Sequence, residues 1–177
     1  MRLSKGYRAW GVALCLWMGS QVVWGQPVRG SLRVAPQAIE SGAVVEVEVI
    51  VDLNERSDRL GAYTAQVTWD PGVFELVEVA DGATAAFAGP QTRINDDAVV
   101  FSAFNVQGAG GVVSLLKMRL QAVGRPGDEA GLALSFSALA AAQTFEDLLP
   151  HLQVTPPIYT TAAKVSSWGQ IKGWVGR

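Results

Sequence analysis

The sequence predicts an all-β protein, an antiparallel sandwich of eight or nine short strands. Runs of alternating apolar and polar residues recur at short spacing with Gly, Pro, Asn and Asp between them, rather than alternating with helical segments as βαβ units do. Helical periodicity is scarce past the N-terminus, and no segment repeats at a fixed period, which sets solenoids and propellers aside. The clearest run is Leu60 to Val79. Tyr63, Ala65, Val67 and Trp69 fall on one face and Ala62, Thr64, Gln66 and Thr68 on the other, the period of a half-buried strand. Asp70-Pro71-Gly72 ends that strand, because Pro71 lacks a ladder N–H and Gly72 tolerates positive φ; Phe74, Leu76 and Val79 resume as the next.

In chain order, Ser31 to Val34 opens the sandwich. Val44 to Val51 follows, with Val45, Val47, Val49 and Val51 on one face and Glu46 and Glu48 on the other. After the two strands from Leu60 to Val79, the small-residue stretch Asp81 to Gly89 lacks a core pattern and reads as a loop over one sheet. Asn95-Asp96-Asp97 makes a turn, after which Val99, Phe101 and Ala103 alternate with Val100, Ser102 and Phe104. Gly108 to Gly111 closes that strand. Val112 to Leu120 is expected to bury Leu116, Met118 and Leu120 and to expose Leu115, Lys117 and Arg119. Past the Arg125-Pro126-Gly127-Asp128 turn, Leu132 to Leu139 offers Leu132, Leu134 and Phe136 as core, and Leu152–Val154 and Ile158–Thr160 supply a final pair. Thr144 to Leu149 reads as one helical turn, capped by Thr144 with Glu146 and Asp147 beside its N-terminus.

The first 25 residues read as a signal peptide: Arg2, Lys5 and Arg8 precede an acid-free apolar stretch from Ala9 to about Trp24. Val23 and Gly25 suit cleavage before Gln26; Leu14 ahead of Cys15 does not suit lipidation. Residues 26–163 then form one sandwich domain and 164–177 a tail, and the expected destination is secretion or the cell surface. Cleavage removes three of 14 basic residues and none of 16 acidic ones, leaving 11 against 16, a formal charge of −5. No Lys/Arg cluster with interleaved aromatics is present, so nucleic acid is excluded as a partner. Past the leader no apolar run is long enough to span a bilayer, and no cysteine remains for a disulfide.

The turn motif and its flanks, Trp69-Asp70-Pro71 followed by Val73-Phe74-Glu75-Leu76-Val77-Glu78-Val79, resemble the cohesin family. Glu40-Ser41-Gly42 before the valine-rich strand and Gly111-Val112-Val113 at the start of a late strand extend the resemblance over about Ser31 to Thr161, in the family's order. The resemblance implies a nine-stranded jelly-roll sandwich that binds the dockerin module of a secreted enzyme, without catalysis. Many cohesins of enzyme complexes carry Asn and Asp on the outward face of the strand ending at Trp69. Here those positions are Ala62 and Thr64, and the Val106 to Gly111 connection is short, so an altered specificity is expected.

The candidate partner-binding residues are Thr64, Gln66, Thr68, Ser102 and Phe104, a flat face if their two strands are neighbours, with Phe104 as anchor. The alternatives are a polysaccharide-binding sandwich and an adhesive or structural surface module. Sugar stacking is disfavoured because Tyr63 and Trp69 share the inward face. An enzyme is not expected: His151 is the sole histidine, no cysteine survives cleavage, and no Gly-x-Ser-x-Gly elbow occurs. The pairs Asp96-Asp97 and Glu146-Asp147 read as solvated turn acids, and neither Asn95-Asp96-Asp97 nor Asp81-Gly82 has calcium-loop spacing, so no metal or cofactor is assigned. In the tail, Trp168, Ile171 and Val175 recur at helical spacing beside Lys172 and Arg177, as in a docking or export-associated terminus, with a disordered tail as the equal alternative because Gly169, Gly173 and Gly176 weaken a helix.

Overall fold

The computed structural model describes residues 26–35, 39–125, 128–155 and 158–162. The leader and the tail lie outside these residues. The strands are β1 (Val28–Ala35), β2 (Ile39–Glu40), β3 (Val44–Asp52), β4 (Leu60–Thr68), β5 (Phe74–Asp81), β6 (Gln91–Ile94), β7 (Ala98–Ala109), β8 (Val112–Ala122), β9 (Glu129–Gly131), β10 (Ala133–Ala141), β11 (Leu152–Thr155) and β12 (Ile158–Ala162). Nine of them form the two layers of a jelly-roll sandwich, a five-stranded sheet ordered β11-β1-β3-β8-β5 and a four-stranded sheet ordered β10-β4-β7-β6. The short strands β2, β12 and β9 make a small third ladder.

The Asp70-Pro71-Gly72 corner carries the chain from one sheet to the other, not back along the same sheet. The Asp70 carbonyl accepts the N–H groups of Val73 and Phe74 at 3.0 and 2.9 Å, and its carboxylate accepts that of Gly72 at 2.8 Å. Asn95-Asp96-Asp97 instead turns a hairpin, β6 onto β7, closed by Asn95 N–H donating to the Ala98 carbonyl at 2.8 Å. Between the layers the valines of β3 and Leu116, Met118 and Leu120 of β8 meet Tyr63, Ala65 and Val67 of β4 and Val99 and Phe101 of β7 in one core. Tyr63 packs edge-on against Phe87 and Phe101, with ring centroids 5.4 and 5.8 Å away. Each such pair is worth about 0.5–1.5 kcal/mol beyond its area.

Two expectations, for Leu115 and for Thr144 to Leu149, need correction, and irregular backbone is the reason for each. Leu115 is fully buried rather than outward. A bulge between Val49 and Ile50 in the β3–β8 ladder pairs Leu116 with Val49 and Ser114 with Ile50, so Leu115 is the extra residue and turns into the core. Phe136 packs half-buried against the core, over Gly30, in phase with Leu132 and Leu134. The bulge between Phe136 and Ala138 then shifts the phase of β10, so Leu139 and Ala141 join the core as well. Thr144 to Leu149 is not a helical turn: Gln143 and Phe145 have φ of 66° and 57°, Asp147 bridges to Ala140, and a 3-10 turn begins only at Leu149. The Asp81–Gly89 loop also contributes a core residue, Phe87, carried on a 3-10 turn from Ala85 to Phe87.

Candidate functional site

The outward residues of β4 and β7 lie side by side. Thr64 is opposite Ser102, Gln66 opposite Val100, Thr68 opposite Ala98 and Ala62 opposite Phe104. Thr64, Gln66, Thr68, Ser102 and Phe104 therefore share one face. It runs about 20 Å along the strands from Ala62 to Thr68, at roughly 3.3 Å per residue. The sequence did not indicate the flanks. On β10, Ala133, Ser135, Ala138 and Ala140 register with Thr68, Gln66, Thr64 and Ala62. On β6, Gln91 and Arg93 register with Ser102 and Val100. Arg93 is the one charged residue in these four strands. Phe104 stands 80 % exposed on this face, not covered by the Asp81–Gly89 loop.

That loop forms one wall of a cleft of about 400 Å³, with Ala86, Ala88 and Gly89 facing Ala62, Thr64, Ser102 and Phe104. Its position is set from the opposite sheet. Ser114, brought to the outer surface of β8 beside the bulge, donates its hydroxyl to Glu48 Oε1 at 2.6 Å and accepts the Ala83 N–H at 2.8 Å. Its own N–H donates to Thr84 Oγ1 at 2.9 Å. At the loop's far end Gly89, in left-handed conformation, donates its N–H to the Asp81 carboxylate at 2.9 Å, and Asn105 Nδ2 donates to the Ala86 carbonyl at 2.8 Å. Buried Phe87 pins the middle. Polar residues as far apart in sequence as Glu48 and Ser114, 66 positions, make this latch, so no local motif announced it.

Beyond Phe104 the β4–β7 register jumps from Ala62–Phe104 to Leu60–Ala109, and the intervening residues bulge outward. The Arg59 guanidinium clamps this bulge by donating to the Gln107 and Gly108 carbonyls, both at 2.8 Å. Gly108, at φ 61°, packs so closely that a Cβ there would lie 2.6 Å from that of Ala142. The bulge and the loop after β10 are thus in contact. Val106 on the bulge and Phe145 on the loop are exposed, Phe145 to 77 %. Two adjacent-turn residues in the left-handed region, neither of them glycine, are costly and mark a conformation held by its surroundings.

The other sheet presents a different surface. Arg33, Glu48 and Lys117 form one cross-strand row and Glu46, Arg119 and Glu78 the next, with Arg33–Glu48 and Arg119–Glu78 ion pairs at 3.2 Å. Beneath the neutral sheet, burial and then the Asp81 charge push the Tyr63 phenol up to about 12, and among the described residues its hydroxyl has no hydrogen-bond partner. Tyr63 and Trp69 are both buried, which removes them as a sugar-stacking platform. Among the described residues, no three His, Cys, Asp or Glu side chains are grouped to hold a metal. No helix there is long and apolar enough to cross a membrane.

No protein-family model and no curated protein matches this chain. Solved structures do. The cohesin of OlpA from Clostridium thermocellum, solved in complex with Doc918, superposes with a TM-score of 0.63 at 9% identity, over 77% of this chain and 99% of that one. The seventh ScaB type I cohesin of Pseudobacteroides cellulosolvens gives 0.62 at 15% identity over 79% and 95%. A non-cellulosomal cohesin from the archaeon Archaeoglobus fulgidus gives 0.58 at 11% identity over 77% and 90%. The fold is therefore cohesin-like.

Proposed function

We propose that this protein is an exported, non-catalytic binding module that recruits a dockerin-like protein through the outer face of the β10-β4-β7-β6 sheet. The observation that carries the proposal is the flat, almost uncharged face on which Phe104 stands exposed among Thr64, Gln66, Thr68 and Ser102. None of those four polar side chains makes a hydrogen bond to another described residue, so each is available to a partner. A large apolar anchor ringed by small polar groups is the anatomy of a protein-binding hot spot. The cohesin-like fold supports a dockerin-like partner over a polysaccharide, as does the burial of Tyr63 and Trp69.

The test is calorimetric titration with purified dockerin-type modules encoded in the same genome. Binding that falls about tenfold or more in Phe104→Ala, with unchanged melting temperature, supports the face. Equal affinity of the two proteins removes it. Retardation of the wild type in gels containing soluble glycans, with no response to any dockerin module, turns the assignment to polysaccharide. Export follows the leader at residues 1–25 and is checked by N-terminal sequencing of the extracellular protein, which should begin at Gln26.

A further inference from the structure

We infer that the cleft beside Phe104 is a specificity pocket that receives one uncharged, apolar side chain of a protein partner. The inference rests on the docking reading above and adds to it the chemistry of the group that enters. Ala62, Ala86, Ala88 and Gly89 leave the cleft open down to backbone level, and Phe104 forms its apolar side. A volume of about 400 Å³ lies within the range of about 300–1,000 Å³ typical of ligand pockets. No side chain charged at neutral pH lines it, in a chain with 16 acidic and 14 basic residues. A carboxylate or ammonium placed there loses hydration and gains no counter-charge, whereas an apolar group gains by leaving water together with Phe104. Charge complementarity thus selects a neutral occupant.

The rim supplies orientation. Thr64, Gln91 and Ser102 border the cleft, and their side chains are uncommitted among the described residues, so they are placed to bond the peptide groups flanking the inserted side chain. The wall is already ordered. The Ser114 and Thr84 hydrogen bonds, the Asp81–Gly89 bond and buried Phe87 hold the loop before anything binds, which lowers the ordering cost of association. A free small molecule would bury less of Phe104 than a side chain attached to a surface lying along the same sheet, and the cleft opens directly onto the Thr64–Ser102 row.

The experiment uses terminally blocked amino-acid amides of leucine, tryptophan, aspartate and lysine as probes. Each is titrated into the full-length isotope-labelled protein and followed by amide chemical shifts. Saturable shifts at Ala62, Ala86–Gly89 and Ser102–Phe104 with the leucine and tryptophan amides, weak or absent with the charged pair and lost in Ala88→Trp, support the pocket. Equal response to all four, or to none, overturns it. Shifts produced by cellobiose and not by the apolar amides also overturn it. So does a dimer that Ala88→Trp dissolves, because the occupant is then a second copy. The two proposals separate with a dockerin-type module as titrant. Ala88→Trp should weaken its binding at least about thirtyfold. Full affinity in Ala88→Trp, with loss in Thr64→Arg, leaves the docking face standing and removes the pocket. Amide binding at the cleft, with module binding lost in Ala88→Trp and untouched by Gln66→Arg on the same face but outside the cleft, does the reverse.

Discussion

The two outer faces of the sandwich obey the same pleat and meet the same solvent, yet they are built from different chemistry. Each of β1, β3, β5 and β8 carries at least two charged residues, whereas β4, β6, β7 and β10 share Arg93 alone. The charged face is solvated and internally paired: Arg33 meets Glu48, and Arg119 meets Glu78. The neutral face has uncommitted hydroxyls, small side chains and an exposed phenylalanine. Burying the first against another protein would strip hydration from ions that already have partners. Burying the second removes mainly apolar and weakly hydrated surface from water. Fold alone makes both faces flat; side-chain hydration decides which of them is suited to be covered.

The largest expected effect is at the centre of the neutral face. Thr64→Arg should weaken binding of a dockerin-type module by about a hundredfold or more, close to 3 kcal/mol, while Glu46→Arg on the opposite face changes it less than about twofold. Comparable losses from both, measured by calorimetry, would erase the distinction between the faces.

Next in size is the response of the neutral sheet's inner side to alkali. The folded-state pKa of Tyr63, about 12, lies above the unfolded value of 10.0, so the unfolded chain releases its proton first. The stability this contributes is complete below pH 10 and is lost as pH rises to 12, in total about 2–3 kcal/mol at about 1.4 kcal/mol per unit. Denaturant melts of wild type and Tyr63→Phe across that window should converge on this difference. A parallel alkaline decline in the variant would assign the loss to other groups.

The Ser114 latch links the two faces. Ser114→Ala removes the bonds to Glu48 and to the Ala83 N–H and should cost about 1–3 kcal/mol. Faster hydrogen exchange at residues 83–89 than in the sheets is the accompanying signature; uniform acceleration would mean that the latch stabilises the sandwich without specially ordering the loop. The smallest effect belongs to the charged face. Arg33→Ala or Glu78→Ala should shift stability by no more than about 0.5 kcal/mol, since the side chain removed is solvent-exposed in each pair. A loss several times larger would show that this ladder holds the sheet together.

Much of this architecture is local and was readable from order alone. Period two set Tyr63, Val67 and Trp69 inward and Thr64, Gln66 and Thr68 outward, and Pro71 and Gly72 set the corner, because each depends on neighbouring backbone and on one residue's own φ. The placement of β4 beside β7 was an expectation that register had to settle, and the cleft was not legible at all. Bulges at Leu115 and Ser137 change which side a residue faces without changing its character, and left-handed Gln143 and Phe145 replace the helical turn that Thr144, Glu146 and Asp147 advertise. The alternation of Thr64, Ser102 and Phe104 thus named one face of the candidate site. Its wall, its neutral flanks on β6 and β10 and the Ser114 latch came only from tertiary structure, since they join residues distant in sequence whose contacts exist only once the two sheets have packed.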